Sequence, residues 1–386
     1  MKRIIIINQD SGYLTIDIAI DLINNNFDPV LITGRLVTRN NSLPESVKIK
    51  KIIKYHRGSN YQKFFSWIIG FFQILFIIKT KYKNDYLLLV SNPPLSSFLP
   101  LFCKNKFSLL IFDVYPNVLM QMGVVSETSF FAEYWKRINK KVFAKADNIF
   151  TLTEGMSALI NQYINDKRIG IVPLWGDTSF FTPIPKETNP FILEHKLANR
   201  FVVIYSGNLG STHNVEILPE LAKRIKNPKV IFLIIGNGDR KRYIEEKVKE
   251  LNLMNCLFLP LLPINQIQFS FASAQIAIVS LSEHASGISL PSKTFGFMSA
   301  GLPLLCIAGK GSELNRLIEK YDNGRCFPPD KLDEIACFIE DIAQNEAMLE
   351  KFKFNSQKAS NDFTSKNAGL ITDALIKSIQ NHGQLE

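Results

Sequence analysis

The stretch Phe201 to Gly210, FVVIYSGNLG, reads as a buried strand over Phe201 to Tyr205 that runs into the turn Ser206-Gly207-Asn208-Leu209-Gly210. Glycine at 207 and 210 lets the chain bend tightly and approach an anion with no Cβ in the way. An apolar-periodic helix, Val215 to Ile225, follows, and then the same unit recurs. The strand Val230 to Ile235 runs into Gly236-Asn237-Gly238-Asp239, with the helix Arg242 to Leu251 after it. Further short strands lie at Cys256 to Leu259, Ile276 to Ser280 and Pro303 to Ile307. Strand, glycine turn and helix in repetition predict a doubly wound α/β domain with a parallel sheet. The second turn departs from the dinucleotide fingerprint, because Lys241 stands where G-x-G-x-x-G requires its last glycine.

Working toward the N-terminus, Lys2 to Asn8 is a strand, Ser11-Gly12 a turn and Tyr13 to Ile23 a helix. Strands are expected at Pro29 to Thr33, Tyr86 to Ser91, Ser108 to Phe112 and Ile149 to Thr153, the last followed by Glu154-Gly155 and a helix over Met156 to Tyr163. This is a second Rossmann-like half. Between the halves, Pro173, Pro183, Pro185 and Pro190 interrupt any periodicity. The expected organisation is an N-terminal domain over 1–175, a linker over 176–200, a second domain over 201–362 and a C-terminal helix over 363–386 that packs back on the first domain. The two domains are expected to face each other across a cleft.

The chain has 386 residues and a net charge of +10, enough length for two cores. Residues 1–175 hold 22 Lys and Arg against 12 Asp and Glu, whereas the remainder holds 23 against 23. The basic half points to an anionic partner, such as a phospholipid surface, a lipid phosphate or a nucleic acid. Its most apolar stretch, residues 64–78, falls short of the roughly 20 residues that span a bilayer. Lys48, Lys50, Lys51, Lys54, Arg57 and Lys63 precede it, and Lys79, Lys81 and Lys83 follow. The whole segment 48–83 is therefore read either as membrane-facing at the interface or as a buried helix with solvated charged ends. The basic run lacks the interleaved aromatics of a nucleic-acid binder. Five unpaired cysteines and an N-terminal apolar run too short for a signal peptide lead us to expect a cytoplasmic protein at the inner face of the plasma membrane.

The third glycine-bearing segment carries the most chemistry. Ala285-Ser286-Gly287-Ile288-Ser289-Leu290-Pro291-Ser292-Lys293 opens a helix with small residues, a proline pre-organised for the first turn and one lysine. Such a site suits a diphosphate.

Taken in order, these motifs resemble glycosyltransferase family 4, whose members have the two-domain GT-B fold. The resemblance spans nearly the whole chain and is strongest over residues 201–308. Its first-half part rests on Phe112-Asp113-Val114-Tyr115-Pro116 and on Ala146-Asp147 to Met156, which are similar to bacterial members that build surface polysaccharides. By resemblance, Gly207, Asn208, Gly210, Gly236, Gly238, Ser286, Gly287, Ser292 and Lys293 bind the donor. Phe258-Leu259-Pro260 leads to the nucleobase pocket, with Leu262 just beyond it. The donor is then a nucleotide-diphosphate sugar, UDP- or GDP-linked, and no further cofactor is expected. The resemblance also implies retention of anomeric configuration. No Asp-x-Asp pair is present to hold a divalent cation, so no metal is expected.

Two departures stand out. Where many members carry Arg and Lys in the first loop, this chain has Asn208 and His213, which leaves Lys293 as the main cation. Where many carry paired glutamates, it has Ile288 and Gly296, and the ribose-binding acid is missing. Asp113 and Glu154 follow first-domain strands and are candidates for the acceptor's general base, and Gly12 and Asp113 form the acceptor side. His56 and His213 are weaker candidates. The expected acceptor is a polyprenyl-diphosphate-linked glycan of O-antigen or capsule synthesis. A GT-B-fold sugar-nucleotide epimerase and a non-catalytic sugar-nucleotide-binding subunit share the same turns and stay open at this point.

Overall fold

The computed structural model describes residues 2–38, 43–56, 60–121, 123–164, 169–178, 180–282 and 290–383. The chain divides into two compact units, Met1–Pro173 with Ser365–Glu386, and Leu174–Thr364.

The first unit contains β1 (Arg3–Ile7), β2 (Asp10–Ser11), β3 (Asp28–Thr33), β4 (Arg35–Leu36), β5 (Lys48–Lys51), β6 (Tyr86–Val90), β7 (Phe107–Ile111), β8 (Ile149–Thr151) and β9 (Ile169–Ile171). Seven of these form one parallel sheet in the order β5-β3-β1-β6-β7-β8-β9, while β2 and β4 pair separately. Ile4 to Ile7, Val30 to Ile32 and Leu87 to Leu89 are buried along their whole length, as strands covered on both faces must be. Strand order runs outward in opposite directions from β1 and β6. The loops at their C-terminal ends, which include Gly12, therefore lie at the switch point where α/β sheets bind ligands. The lysine-rich β5 was not anticipated as a strand. It lies at the sheet edge, where charge blunts unwanted pairing and erases the apolar signature.

The apolar stretch 64–78 lies inside a single helix, Asn60–Lys81, of 22 residues. That helix is long and apolar enough to cross a membrane by length and composition, which corrects the expectation drawn from the stretch alone. The helix Ala368–Gly383 packs on the first unit through Ala368, Ile371, Leu375 and Ile379. Asn148 Nδ2 donates to Ser378 Oγ at 2.8 Å, and His382 Nε2 lies 2.9 Å from Asp147 Oδ2.

The second unit contains β10 (Phe201–Asn208), β11 (Val230–Asn237), β12 (Cys256–Leu259), β13 (Ile276–Ser280), β14 (Leu304–Ile307) and β15 (Gly324–Phe327) in one parallel sheet, ordered β12-β11-β10-β13-β14-β15. Its core runs through Tyr205, Phe232, Phe338 and Phe352. The stretch 176–200 is part of this unit rather than a linker. Phe180, Phe181, Phe191, Ile192 and Leu197 are buried, and Phe181 stacks on Phe271 at 4.9 Å. Buried Asn189 accepts from Phe191 N and donates to Phe269 O. Its prolines set turns without separating the segment from the core.

Candidate donor site

In the second unit the switch point lies between β10 and β13, so the loops leaving those two strands flank the place where a ligand is expected. The two loops are fastened together, because Ser282 N donates to Thr212 O at 2.9 Å. The helix Lys293–Ser299 follows β13 in the chain and is buried from Thr294 to Ser299. Helix begins at Lys293, two residues after Pro291, and Thr294 N closes the intervening turn on Pro291 O. Pro291 thus lies near the first helical residue, in the turn that leads into it.

Lys293 carries the chemistry of this site. Its Nζ is sealed from solvent and has no hydrogen-bond partner among the described residues. It stands 3.8 Å from the centroid of the Tyr205 ring, a cation–π contact that covers one side of the ammonium and satisfies none of its three N–H donors. Burial pulls its pKa from 10.5 to about 7. Tyr205 is fixed from below, since its hydroxyl donates to Asn208 O at 2.6 Å. Two more buried hydroxyls without partners among the described residues, Ser280 Oγ and Thr294 Oγ1, lie at the end of β13 and beside Lys293 in sequence. Buried polar groups are almost always satisfied, so orphaned donors at a switch point mark a place shaped for an acceptor-rich ligand. His213 is drawn down to about 4, first by burial and then by Lys293. It is therefore neutral at pH 7, with Nδ1 3.0 Å from Thr212 Oγ1, and leaves the positive charge to Lys293.

The glycines play a different part from the one expected. The strands extend through Gly207 and Gly236, which pair with each other, as Asn208 does with Asn237, while Gly210 and Gly238 lie just past the strand ends. A Cβ on Gly236 would sit 2.0 Å from Gly207 O, and one on Gly238 2.3 Å from Leu209 O. These two glycines permit close backbone packing of β11 beneath the loop and are not open turn positions. Gly207 does face the site: with φ at +151°, a Cβ there would stand 3.1 Å from Lys293 Nζ. Beyond Gly210, a short turn of 3-10 helix, Ser211–His213, completes the loop.

Gly296 has a packing explanation. A Cβ there would meet Phe181 at 3.1 Å and Phe271 at 3.3 Å, within the aromatic cluster that the segment 176–200 supplies. Of the remaining expected donor residues, Ser292 is exposed and Leu262 half-buried in the loop after β12. Ser286, Gly287 and Ile288 lie outside the described residues.

In the first unit, Asp113 and Glu154 leave the C-terminal ends of the paired strands β7 and β8. Asp113 N and Phe112 N both donate to Ser91 Oγ. Its side chain reaches solvent, and partial desolvation raises its carboxyl above the usual range. Glu154 is exposed in the first turn of the helix Glu154–Asn161, whose N-cap is Thr153. A carboxylate there also complements the helix dipole. A Cβ on Gly12 would meet nothing within 4 Å, so the loop after β1 is open. What the sequence did not show is that Tyr205, in the strand expected beside the diphosphate, carries the ammonium of Lys293 on its ring. Tyr205 lies in a strand that reads as core, and nothing in the sequence pairs it with a lysine in the helix after β13.

Two doubly wound parallel units in one chain are the architecture of the GT-B fold. Residues 186–359 match the family described as Glycosyl transferases group 1. Anabaena HepE, solved in complex with UDP-glucose, aligns over 98% of this chain and 100% of its own with a TM-score of 0.73 and 13% identity. In sequence, the chain is 28% identical over 240 residues to the probable glycosyltransferase WbjE of Pseudomonas aeruginosa, covering 62% of this chain and 60% of WbjE. It is 24% identical over 198 residues to WcaI of Escherichia coli K12, a putative colanic acid biosynthesis glycosyl transferase, covering 50% of this chain and 48% of WcaI. The alignments thus span about half to three fifths of these curated relatives.

Proposed function

We propose that this chain is a glycosyltransferase of the EC 2.4 type that moves a sugar from a nucleotide-diphosphate donor, UDP- or GDP-linked, to an acceptor. The observation that carries the reading is the sealed, unpartnered ammonium of Lys293 at the switch point of the second unit. As the sugar–oxygen bond breaks, negative charge accumulates on the leaving diphosphate. Lys293, held on the Tyr205 ring, receives that charge without having to reorganise, which is electrostatic catalysis by a preorganised donor. In this reading no metal takes part, and the anomeric configuration is retained.

For the acceptor we propose a polyprenyl-diphosphate-linked glycan of bacterial surface polysaccharide, O-antigen or capsule, handled at the inner face of the plasma membrane. The likeness to WcaI and the excess of 22 cations over 12 acids in residues 1–175 support this assignment. Asp113 is the favoured base for the acceptor hydroxyl, since partial desolvation brings its carboxyl closer to working pH. The test is nucleotide release from a panel of UDP- and GDP-sugars, with and without lipid-linked acceptor. Acceptor-dependent release is expected. Donor consumption without acceptor would mean an epimerase, and donor binding with no release under any condition a binding subunit.

A further inference from the structure

The helix Asn60–Lys81 has two faces, both largely apolar. One is docked: Ser66, Ile74 and Ile78 are buried, and Gln9 Nε2 donates to Ser66 O at 2.9 Å and to Ile53 O at 3.0 Å. Gly70 makes this possible, since a Cβ there would stand 2.7 Å from Gln9 Nε2. Gln73 Oε1 accepts from Ile53 N at 2.7 Å, which ties the middle of the helix to the backbone just past β5. The other face presents Tyr61, Phe64, Phe65, Ile69, Phe72 and Phe76 to solvent, at spacings that keep them along one side.

The exposed apolar surface continues beyond this helix. Phe71 packs edge-on against Phe102, itself exposed, at the end of the 3-10 helix Pro94–Leu101. From the same 3-10 helix Phe98 packs on Trp135, and Trp135 on Phe131, in the first turns of the helix Phe130–Lys145. That helix begins with Phe130, 84% exposed, stacked on exposed Tyr134. An aromatic cluster with Trp135 buried within it therefore links three elements that are far apart in sequence, and Phe102, Phe130, Phe131 and Tyr134 are its exposed members.

A surface this apolar on a soluble protein has a partner, and the charge around it names one. Residues 48–83 contain eight lysines and one arginine and no acid at all. Lys51, Lys54, Lys79, Lys81, Lys83 and Lys104 are all exposed, and Lys54 adjoins Ile53, whose N–H is bonded to Gln73 in the helix. We propose that this surface docks on an anionic phospholipid bilayer. The helix Asn60–Lys81 lies in the plane of the interface, its phenylalanines in the acyl boundary and the lysines among the headgroup phosphates. The docked face decides against a crossing helix, because leaving the unit would carry the Gln73 amide into hydrocarbon without its bond to Ile53 N, strip Gln9 of its bond to Ser66 O and uncover the part of the unit on which Ile74 and Ile78 are buried. The inference concerns where the protein sits and stands apart from sugar transfer.

The experiment is sedimentation of the full chain with vesicles, in which activity plays no part. Binding is expected to mixed phosphatidylglycerol and phosphatidylcholine, weakened by salt, and to be slight with phosphatidylcholine alone. Phe72→Ser with Phe76→Ser should lower partitioning by roughly fivefold per ring, and Phe130→Ser should lower it too, although it lies on a different element. Lys79→Gln with Lys81→Gln should act on anionic vesicles only; it serves as the second variant if the serine pair fails to fold. Bound protein should be released by alkaline carbonate, as an interfacial helix is. The proposal is overturned by the absence of binding to anionic vesicles, by binding that neither variant pair changes, by retention after carbonate, or by a dimer that buries Phe72 and Phe76 and leaves the protein unable to bind lipid.

Discussion

Replacing Lys293 with methionine separates what the site does for folding from what it does for donor binding. The ammonium is buried against the Tyr205 ring and has no hydrogen-bond partner among the described residues. A fall from 10.5 to about 7 corresponds, at about 1.36 kcal/mol per pH unit, to an unfavourable contribution of at most roughly 5 kcal/mol. Methionine keeps the length and apolar stem without the charge, so Lys293→Met should stabilise the free protein by about 2–4 kcal/mol. The sign follows from linkage. Between pH 7 and 10.5 the unfolded chain holds a proton that the folded chain has released, so wild-type stability rises with pH across that window. Below about pH 7 both states are protonated and the handicap is complete. The variant's advantage should therefore be largest at or below pH 7 and shrink as pH approaches 10.5. Donor binding should move the opposite way. Losing a charged donor to the diphosphate costs about 3 kcal/mol or more, roughly a hundredfold or greater weakening. Urea unfolding at several pH values, with titration calorimetry of UDP-glucose, reads both quantities. A variant less stable than wild type at pH 7 would mean that the ammonium has a native partner, and undiminished donor affinity would mean that the diphosphate does not bind there.

Other expected outcomes follow from the same geometry. Wild-type affinity for a UDP-sugar should fall about tenfold between pH 6 and pH 8 by calorimetry, because binding needs the protonated form of a group that titrates near 7; a flat profile would place the charge elsewhere. Gly236→Ala should cost about 3 kcal/mol or more in denaturant unfolding, since its Cβ would be driven to 2.0 Å from Gly207 O. Gly296→Glu, which restores the family's acid, should destabilise by about 2–4 kcal/mol, because the carboxylate would start from a Cβ pressed on Phe181 and Phe271; improved donor binding with unchanged stability would show that the acid reaches the ribose after all. Transfer activity should survive EDTA.

Much of the fold was legible because buried parallel strands write themselves as apolar runs. Ile4 to Ile7, Leu87 to Val90 and Ile276 to Ser280 sit where their hydrophobicity placed them. What escaped was decided by packing between distant residues. The segment 176–200 reads as a linker because prolines break its periodicity, yet Phe181 and Asn189 anchor it to the helix Ile264–Ala272. The glycines at 236 and 238 read as turns because sequence reveals a missing Cβ and not the carbonyl that would have met it. Lys293 was recognisable as the cation of the site. That it is sealed and stacked on Tyr205 depends on the pairing of β10 with β13, which no local pattern encodes.

A lysine that is half-neutral in the free protein must regain its proton when a diphosphate settles against it. The direct measurement is an NMR titration of carbon-13-labelled lysine, with the Lys293 signal assigned by its loss in Lys293→Met, in free protein and with saturating UDP-glucose. The expected midpoint is near 7 in the free protein, rising by about two pH units or more when the donor binds. A free-protein midpoint near the ordinary lysine value, or one that UDP-glucose does not move, would mean that Lys293 is not the group that receives the diphosphate.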